Sequence, residues 1–118
     1  MSIRVKRVYD DRSPEDGARV LVDRVWPRGV KKEDAQLDDW AKDVAPSTEL
    51  RKWYGHDPDK FDEFTKRYRK ELESGDARGG LDRLRESARE GDLTLLTASK
   101  AVDISQATVL ATLLGESS

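Results

Sequence analysis

Two short apolar runs, Val20-Leu21-Val22 and Leu93-Thr94-Leu95-Leu96, interrupt a chain whose other apolar residues are mostly spaced singly or in pairs among charges. Short Val/Leu-rich runs of this kind mark strands covered on both faces, so Arg19 to Val25 and Leu93 to Ala98 are predicted as central strands. Pro27 stops the first. Near the N-terminus Ile3, Val5 and Val8-Tyr9 interleave with Arg4, Lys6 and Arg7, a partly period-two pattern that predicts an edge or near-edge strand with one polar face. Asp10 to Gly17 carries Ser-Pro and Asp-Gly and reads as a turn or a single helical turn. A parallel crossover usually takes a dozen or more residues, which leaves the pairing of the first strand with Arg19 to Val25 open.

Helical spacing fills the middle of the chain. Leu37, Trp40, Ala41 and Val44 fall at i, i+3, i+4 and i+7 and predict an amphipathic helix ended by Pro46. Ser47 then caps a short helix bearing Leu50, Trp53 and Tyr54, which Gly55 ends in a left-handed turn. Asp57-Pro58 restarts the chain as a helix, with the aspartate at the cap and the proline at the first helical position. Phe61, Phe64, Tyr68 and Leu72 continue its apolar face. Ser74 to Gly80 reads as a glycine-containing loop, before a helix carrying Leu81, Leu84 and Ala88 that stops at Gly91. After the second central strand and the loop Ser99 to Val102, Asp103 and Gln106 have capping-box spacing. Ile104, Ala107, Leu110, Ala111 and Leu114 form the buried side of a last helix.

Strands early and late with helices between them predict an α/β fold: a single small three-layer domain over residues 1–118, with a short, mostly parallel sheet flanked by helices. At 118 residues the chain is long enough to bury a core without a metal or disulfide. Charged residues make up 39% of it against 36% apolar, so the core must be economical and the surface densely mixed in sign. The formal net charge of -2 argues against a protein whose main task is to neutralise nucleic-acid phosphates. Cysteine is absent, which removes disulfides, thiolate nucleophiles and thiolate metal sites, and fits a reducing compartment. The N-terminus lacks the apolar stretch of a signal peptide, and no apolar run approaches the roughly 20 residues that span a bilayer. A cytoplasmic protein without membrane contact is the expectation.

Asp16-Gly17, Leu21-Val22-Asp23-Arg24, Trp26-Pro27-Arg28-Gly29, Pro46-Ser47-Thr48-Glu49-Leu50-Arg51-Lys52 and Leu95-Leu96 together resemble the uncharacterised YeaO-like bacterial family, domain of unknown function 488. The resemblance runs nearly end to end. It implies a compact α/β fold and a cytoplasmic bacterial origin, and it carries no catalytic assignment. Where relatives often have an Asn-His pair at the start of the last helix, this chain has Ser105-Gln106, and the cysteine that longer relatives often carry near that helix is missing. Imidazole or thiol chemistry at that place therefore does not transfer.

Candidate chemistry centres on Asp23-Arg24-Val25-Trp26-Pro27-Arg28-Gly29, at the end of a predicted central strand, where open α/β sheets place their ligands. Arg24 and Arg28 can form a guanidinium clamp for a carboxylate or phosphate, with Asp23 setting how much of that charge is neutralised internally. The competing reading is that the arginines only pair with Asp23 or tie down neighbouring loops. Trp26 fits core packing better than stacking on a ligand. Ser99 and Lys100 follow the second central strand and precede a helix start, a favourable place for an anion, although Asp103 competes for the same amides. His56, the single histidine, is a candidate general base, or else completes the turn between two helices. With one histidine and no cysteine, a transition-metal site is not expected. Asp38-Asp39 and Asp57/Asp59 are assigned to capping rather than to acid-base chemistry. No serine-nucleophile elbow, phosphate-binding loop or cofactor motif is present. Two functions follow: a protein, enzyme or not, binding a small anionic ligand through Arg24, Arg28 and Lys100, with Ser99, Trp26, Asp23 and an optional His56 beside them; or a module without catalysis that docks a protein or nucleic acid through Lys66, Arg67, Arg69 and Lys70. The mixed charges around those four residues favour plain solubility, and with it the first function.

Overall fold

The computed structural model describes residues 2–116. Four strands form one all-parallel sheet: β1 (Ile3–Arg7), β2 (Ala18–Leu21), β3 (Asp39–Trp40) and β4 (Leu93–Thr97), in the spatial order β1-β4-β2-β3. The helices are α1 (Lys32–Ala35), α2 (Thr48–Tyr54), α3 (Phe61–Glu71), α4 (Gly75–Glu90) and α5 (Gln106–Glu116). The expected α/β class and parallel sheet are those of the fold. The two Val/Leu runs are its central strands, although β2 ends at Leu21 and releases Asp23 to Val25 into a loop.

The last strand enters between the first two. Val5 of β1 and Val20 of β2 both stand opposite Leu95, so β1 and β2 are parallel without being neighbours. Gly17 makes this insertion possible: it sits at φ +62°, and a Cβ there would lie 2.1 Å from the Asp92 carbonyl oxygen at the start of β4. The Ala18 amide donates to that same oxygen at 2.9 Å.

Alternation along the strands then sorts the two faces. Val20, Val22, Leu93 and Leu95 join the main core with residues of α2 to α5, including a ladder in which the Tyr54 and Phe64 rings stack at 4.1 Å and the Phe64 and Tyr68 rings at 5.6 Å. Leu21 and Leu96 point to the other face, where Val8, Trp26, Val30, Leu37 and Trp40 cover them. That third layer is thin, and a buried ionic network fastens it. Arg19, 2% exposed, pairs with Asp16, 1% exposed, and donates through Nε to Gln36 O at 3.2 Å and through Nη2 to Ala35 O at 3.3 Å. Lys6 Nζ lies 3.1 Å from Asp16 Oδ1, and the Ser13 amide donates to Oδ2 at 3.0 Å.

Local signals set several boundaries as expected. Ser47 Oγ accepts from the Leu50 amide at 3.2 Å, Gly55 closes α2 at φ 54°, and Asp57 accepts from the Asp59 amide at 3.0 Å. Three expectations are corrected. The stripe Leu37, Trp40, Ala41, Val44 is not a helix but β3 followed by a 3-10 turn over Lys42–Val44. The edge of β2 captures its backbone: the Asp38 amide donates to Arg19 O and the Ala41 amide to Leu21 O, both at 2.8 Å. The four side chains then divide between the two faces of the sheet. The glycines of 74–80 do not form a loop, because α4 already begins at Gly75; Gly80 is a packing contact, where a Cβ would stand 2.6 Å from Val44 Cγ1. Asp103 does not cap the last helix, for it lies exposed in a 3-10 turn over Val102–Ile104, and α5 starts at Gln106. No helix among the described residues is long and apolar enough to cross a membrane.

Burial alone would raise the Asp16 carboxyl, but the Ser13 amide, Lys6 and Arg19 outweigh it and hold the group below its ordinary 3.8. Removing one partner strands a buried charge, so Asp16→Ala is expected to cost about 3–5 kcal/mol by urea unfolding at pH 7. Because the folded-state pKa is depressed, the pH-linked part of this stability is present above pH 3.8 and lost as pH falls through the lower folded value. A wild-type-minus-variant difference that stays flat from neutral pH to below that value would contradict the assignment.

Candidate ligand-binding site

The parallel arrangement points the C-terminal ends of β2, β3 and β4 toward one edge of the sheet, and Asp23 stands where β2 leaves it. Its Oδ1 accepts from Thr97 Oγ1 at 2.8 Å and from Gln106 Nε2 at 2.5 Å, while Oδ2 accepts from the Ala98 amide at 2.7 Å. Its carbonyl accepts from Trp40 Nε1 at 2.7 Å. One residue thereby joins the ends of β2, β3 and β4 and the start of α5.

Against this knot lies a cavity of about 490 Å³, with Asp23, Arg24, Arg51, Lys52, His56, Ser99 and Gln106 on its polar walls and Val25, Pro46, Tyr54 and Phe64 among the apolar ones. Arg24 is half committed: Nε donates to Pro46 O at 3.4 Å and Nη2 to Ala45 O at 3.1 Å, which fixes the guanidinium against the turn before α2. Arg51 and Lys52 reach the same cavity from α2, and neither exposed side chain has a hydrogen-bond or ion-pair partner among the described residues. His56 follows the αL residue Gly55 and is itself at φ 56°; its exposed ring is 6.0 Å from that of Tyr54. Val25 is 65% exposed, unusual for a large apolar side chain of this protein.

Desolvation raises the Asp23 carboxyl above 3.8, more than the Ala98 amide, Thr97, Gln106 and the charge of Arg51 lower it. The site thus holds a desolvated carboxylate beside three cations, of which Arg24 is bonded to two carbonyls and Arg51 acts on Asp23 through its charge.

Of the residues singled out from the sequence, Asp23, Arg24, Ser99 and His56 line this one cavity. Arg28, Lys100 and Trp26 are not among its walls. Arg28 is exposed, with its carbonyl accepting from Tyr9 Oη at 3.1 Å, and Lys100 is exposed as well. Trp26 donates from Nε1 to Val30 O at 2.7 Å and meets Trp40 edge-on at 5.2 Å, in the core cluster on the sheet's other face. Arg51, Lys52, Thr97 and Gln106 escaped the sequence reading as site residues. Arg51-Lys52 did carry a signal, closing the Pro46-to-Lys52 motif one turn into a helix that Ser47 starts; Gln106 carried one too, standing with Ser105 where relatives often have an Asn-His pair, but its spacing from Asp103 reads as a capping box. On α3, Arg67 is already engaged, bonded to Glu63 Oε2 at 3.0 Å and lying 4.1 Å over the Trp53 ring. No group of three or more acidic or histidine side chains among the described residues is placed to hold a metal ion.

A family model described as "Inactive DUF488-N3 subclade" matches residues 2–118. The chain belongs to this family, DUF488-N3i. Among its relatives, an uncharacterised protein of Mycobacterium tuberculosis and one of Mycobacterium bovis are each 51% identical over 112 residues, covering 95% of this chain and 92% of theirs. The uncharacterised protein YeaO of Escherichia coli is 44% identical over 111 residues, covering 94% of this chain and 95% of its own. No solved structure matches. The YeaO-like resemblance drawn from the motifs is thus a family relationship, and in this DUF488-N3i chain the motif residues Asp23, Arg24, Pro46, Arg51 and Lys52 all face the cavity.

The raised Asp23 pKa has a sign opposite to that of Asp16. Between 3.8 and the higher folded value the native chain binds more protons than the unfolded one, so ionisation of Asp23 lowers stability as pH rises through that window. Relative to Asp23→Asn, the wild type is expected to gain stability as pH falls from neutral toward 3.8; a loss over that range in paired urea titrations would refute the assignment.

Proposed function

We propose that this DUF488-N3i protein binds a small anion, a phosphate or a carboxylate, in the cavity at the C-terminal edge of its sheet, and that it does so without catalysis. The reading is carried by the convergence of three cations, Arg24, Arg51 and Lys52, on one cavity, where among the described residues Arg24 is hydrogen-bonded to the Ala45 and Pro46 carbonyls while Arg51 and Lys52 make no hydrogen bond, Arg51 acting on Asp23 through its charge alone. Guanidinium forks match the geometry of carboxylate and phosphate oxygens, and Arg51, which makes no hydrogen bond among the described residues, has its donors available. The position agrees with the general tendency of parallel α/β sheets to bind ligands beyond the carboxyl ends of their strands.

Support for binding rather than turnover comes from the description of the family as inactive. The residues point the same way. Cysteine is absent from the chain, so it offers no thiolate nucleophile, and the Asp23 carboxylate already accepts from Thr97, Ala98 and Gln106. His56 adds a hydrogen-bonding wall to the cavity.

Isothermal titration with inorganic phosphate and with acetate at low ionic strength tests this reading. Binding of either anion by the wild type, weakened about tenfold or more in Arg51→Ala, is the expected result for loss of a charge-assisted contact. Arg28→Ala, which alters a side chain outside the cavity, is expected to change the affinity less than about twofold. Absence of binding by the wild type, or equal affinities for wild type and Arg51→Ala, would overturn the proposal.

A further inference from the structure

The cavity that gathers cations also contains a carboxylate, and this opposition bears on the ligand. An ionised carboxylate offers about four acceptor positions, two on each oxygen. At Asp23 the two on Oδ1 are taken by Thr97 and Gln106, whereas Oδ2 receives only the Ala98 amide among the described residues. Asp23 nevertheless borders open space rather than packed protein. A purely anionic ligand drawn in by Arg51 and Lys52 would be repelled by that carboxylate at the same time, and such repulsion is strong where water is partly excluded.

We infer that the ligand is bipolar: its anionic end meets Arg24, Arg51 and Lys52, and a cationic nitrogen at its other end donates to Asp23 Oδ2. The inference rests on the anion-binding reading and narrows it from anions in general to amino-bearing phosphates or carboxylates. The dimensions agree with two separated recognition groups. A volume of about 490 Å³ lies within the roughly 300–1,000 Å³ of sites for small organic molecules and far exceeds what a bare oxyanion fills. Between the charged walls, Val25, Pro46 and Ala98 supply apolar surface for the carbon skeleton joining the two ends. Thr97 and Gln106 hold Oδ1 from β4 and α5, so they act as positioning residues that fix the orientation of the carboxylate.

Matched pairs test this. O-phosphoethanolamine and 3-aminopropyl phosphate are compared with ethyl phosphate and propyl phosphate, which keep the anionic end and lack the ammonium group. Titration calorimetry at pH 7.5 is expected to show at least one amino compound binding the wild type about tenfold or more tightly than its plain partner, the range of a charge-assisted hydrogen bond. In Asp23→Asn that preference is expected to fall to about onefold. The wild-type comparison stands on its own if the variant does not fold. Equal binding within both pairs would overturn the bipolar ligand and leave the anion site intact. A preference that persists in folded Asp23→Asn would likewise remove Asp23 from recognition. Binding of none of the four compounds would overturn the inference together with the anion-binding reading beneath it.

Discussion

The carboxylate of Asp23 is the constraint on which the C-terminal edge of this sheet depends. Parallel strands have no hairpins to hold their C-terminal ends together, and here β3 pairs with β2 through only two residues. Asp23 takes over that role by accepting from Thr97, Ala98 and Gln106 through its side chain and from Trp40 through its carbonyl. The Arg24 guanidinium, next in the chain, holds the Ala45-Pro46 turn that delivers α2 and with it Arg51 and Lys52. Cavity and scaffold are therefore one piece of chemistry, the strand-end loop serving both.

Opposite this edge the fold solves a different problem with similar means. The third layer lacks a long helix and contributes little apolar area, so Arg19, Asp16 and Lys6 bind the covering segment to the sheet. Buried ionic networks add less net stability than apolar packing of equal volume, but they penalise alternative registers, since a shifted strand would leave charges unpaired. The two aspartates illustrate how environment divides one residue type. Asp16 is buried too, yet two cations and the Ser13 amide hold its pKa low, while Asp23 is served mainly by neutral donors and is pushed up.

Elements with strong local signals were legible in the sequence. The Val/Leu runs of β2 and β4, the Ser47 cap, the Gly55 stop and the Asp57-Pro58 restart all lie where residue chemistry predicts. What was not legible depended on distant partners. Leu37 to Val44 has helical spacing, but the unsatisfied edge of β2 offered its amides better acceptors than a local turn would. Gly75, Gly79 and Gly80 look like loop residues until Val44 is seen against Gly80, where the missing side chain lets α4 approach. The site divided in the same way: Asp23 and Arg24 announced themselves at a strand end, whereas Gln106 became part of it only because β4 places α5 beside β2.

Asp23 and the cations around it are proposed to form one ligand site at this edge. Mapping the backbone amide resonances of the protein during titration with inorganic phosphate tests it most directly. Shifts are expected to concentrate in residues 23–25, 51–56 and 97–99, the segments that wall the cavity. An absence of shifts, or shifts centred on Arg28 and Lys100 with residues 51–56 unmoved, would contradict it.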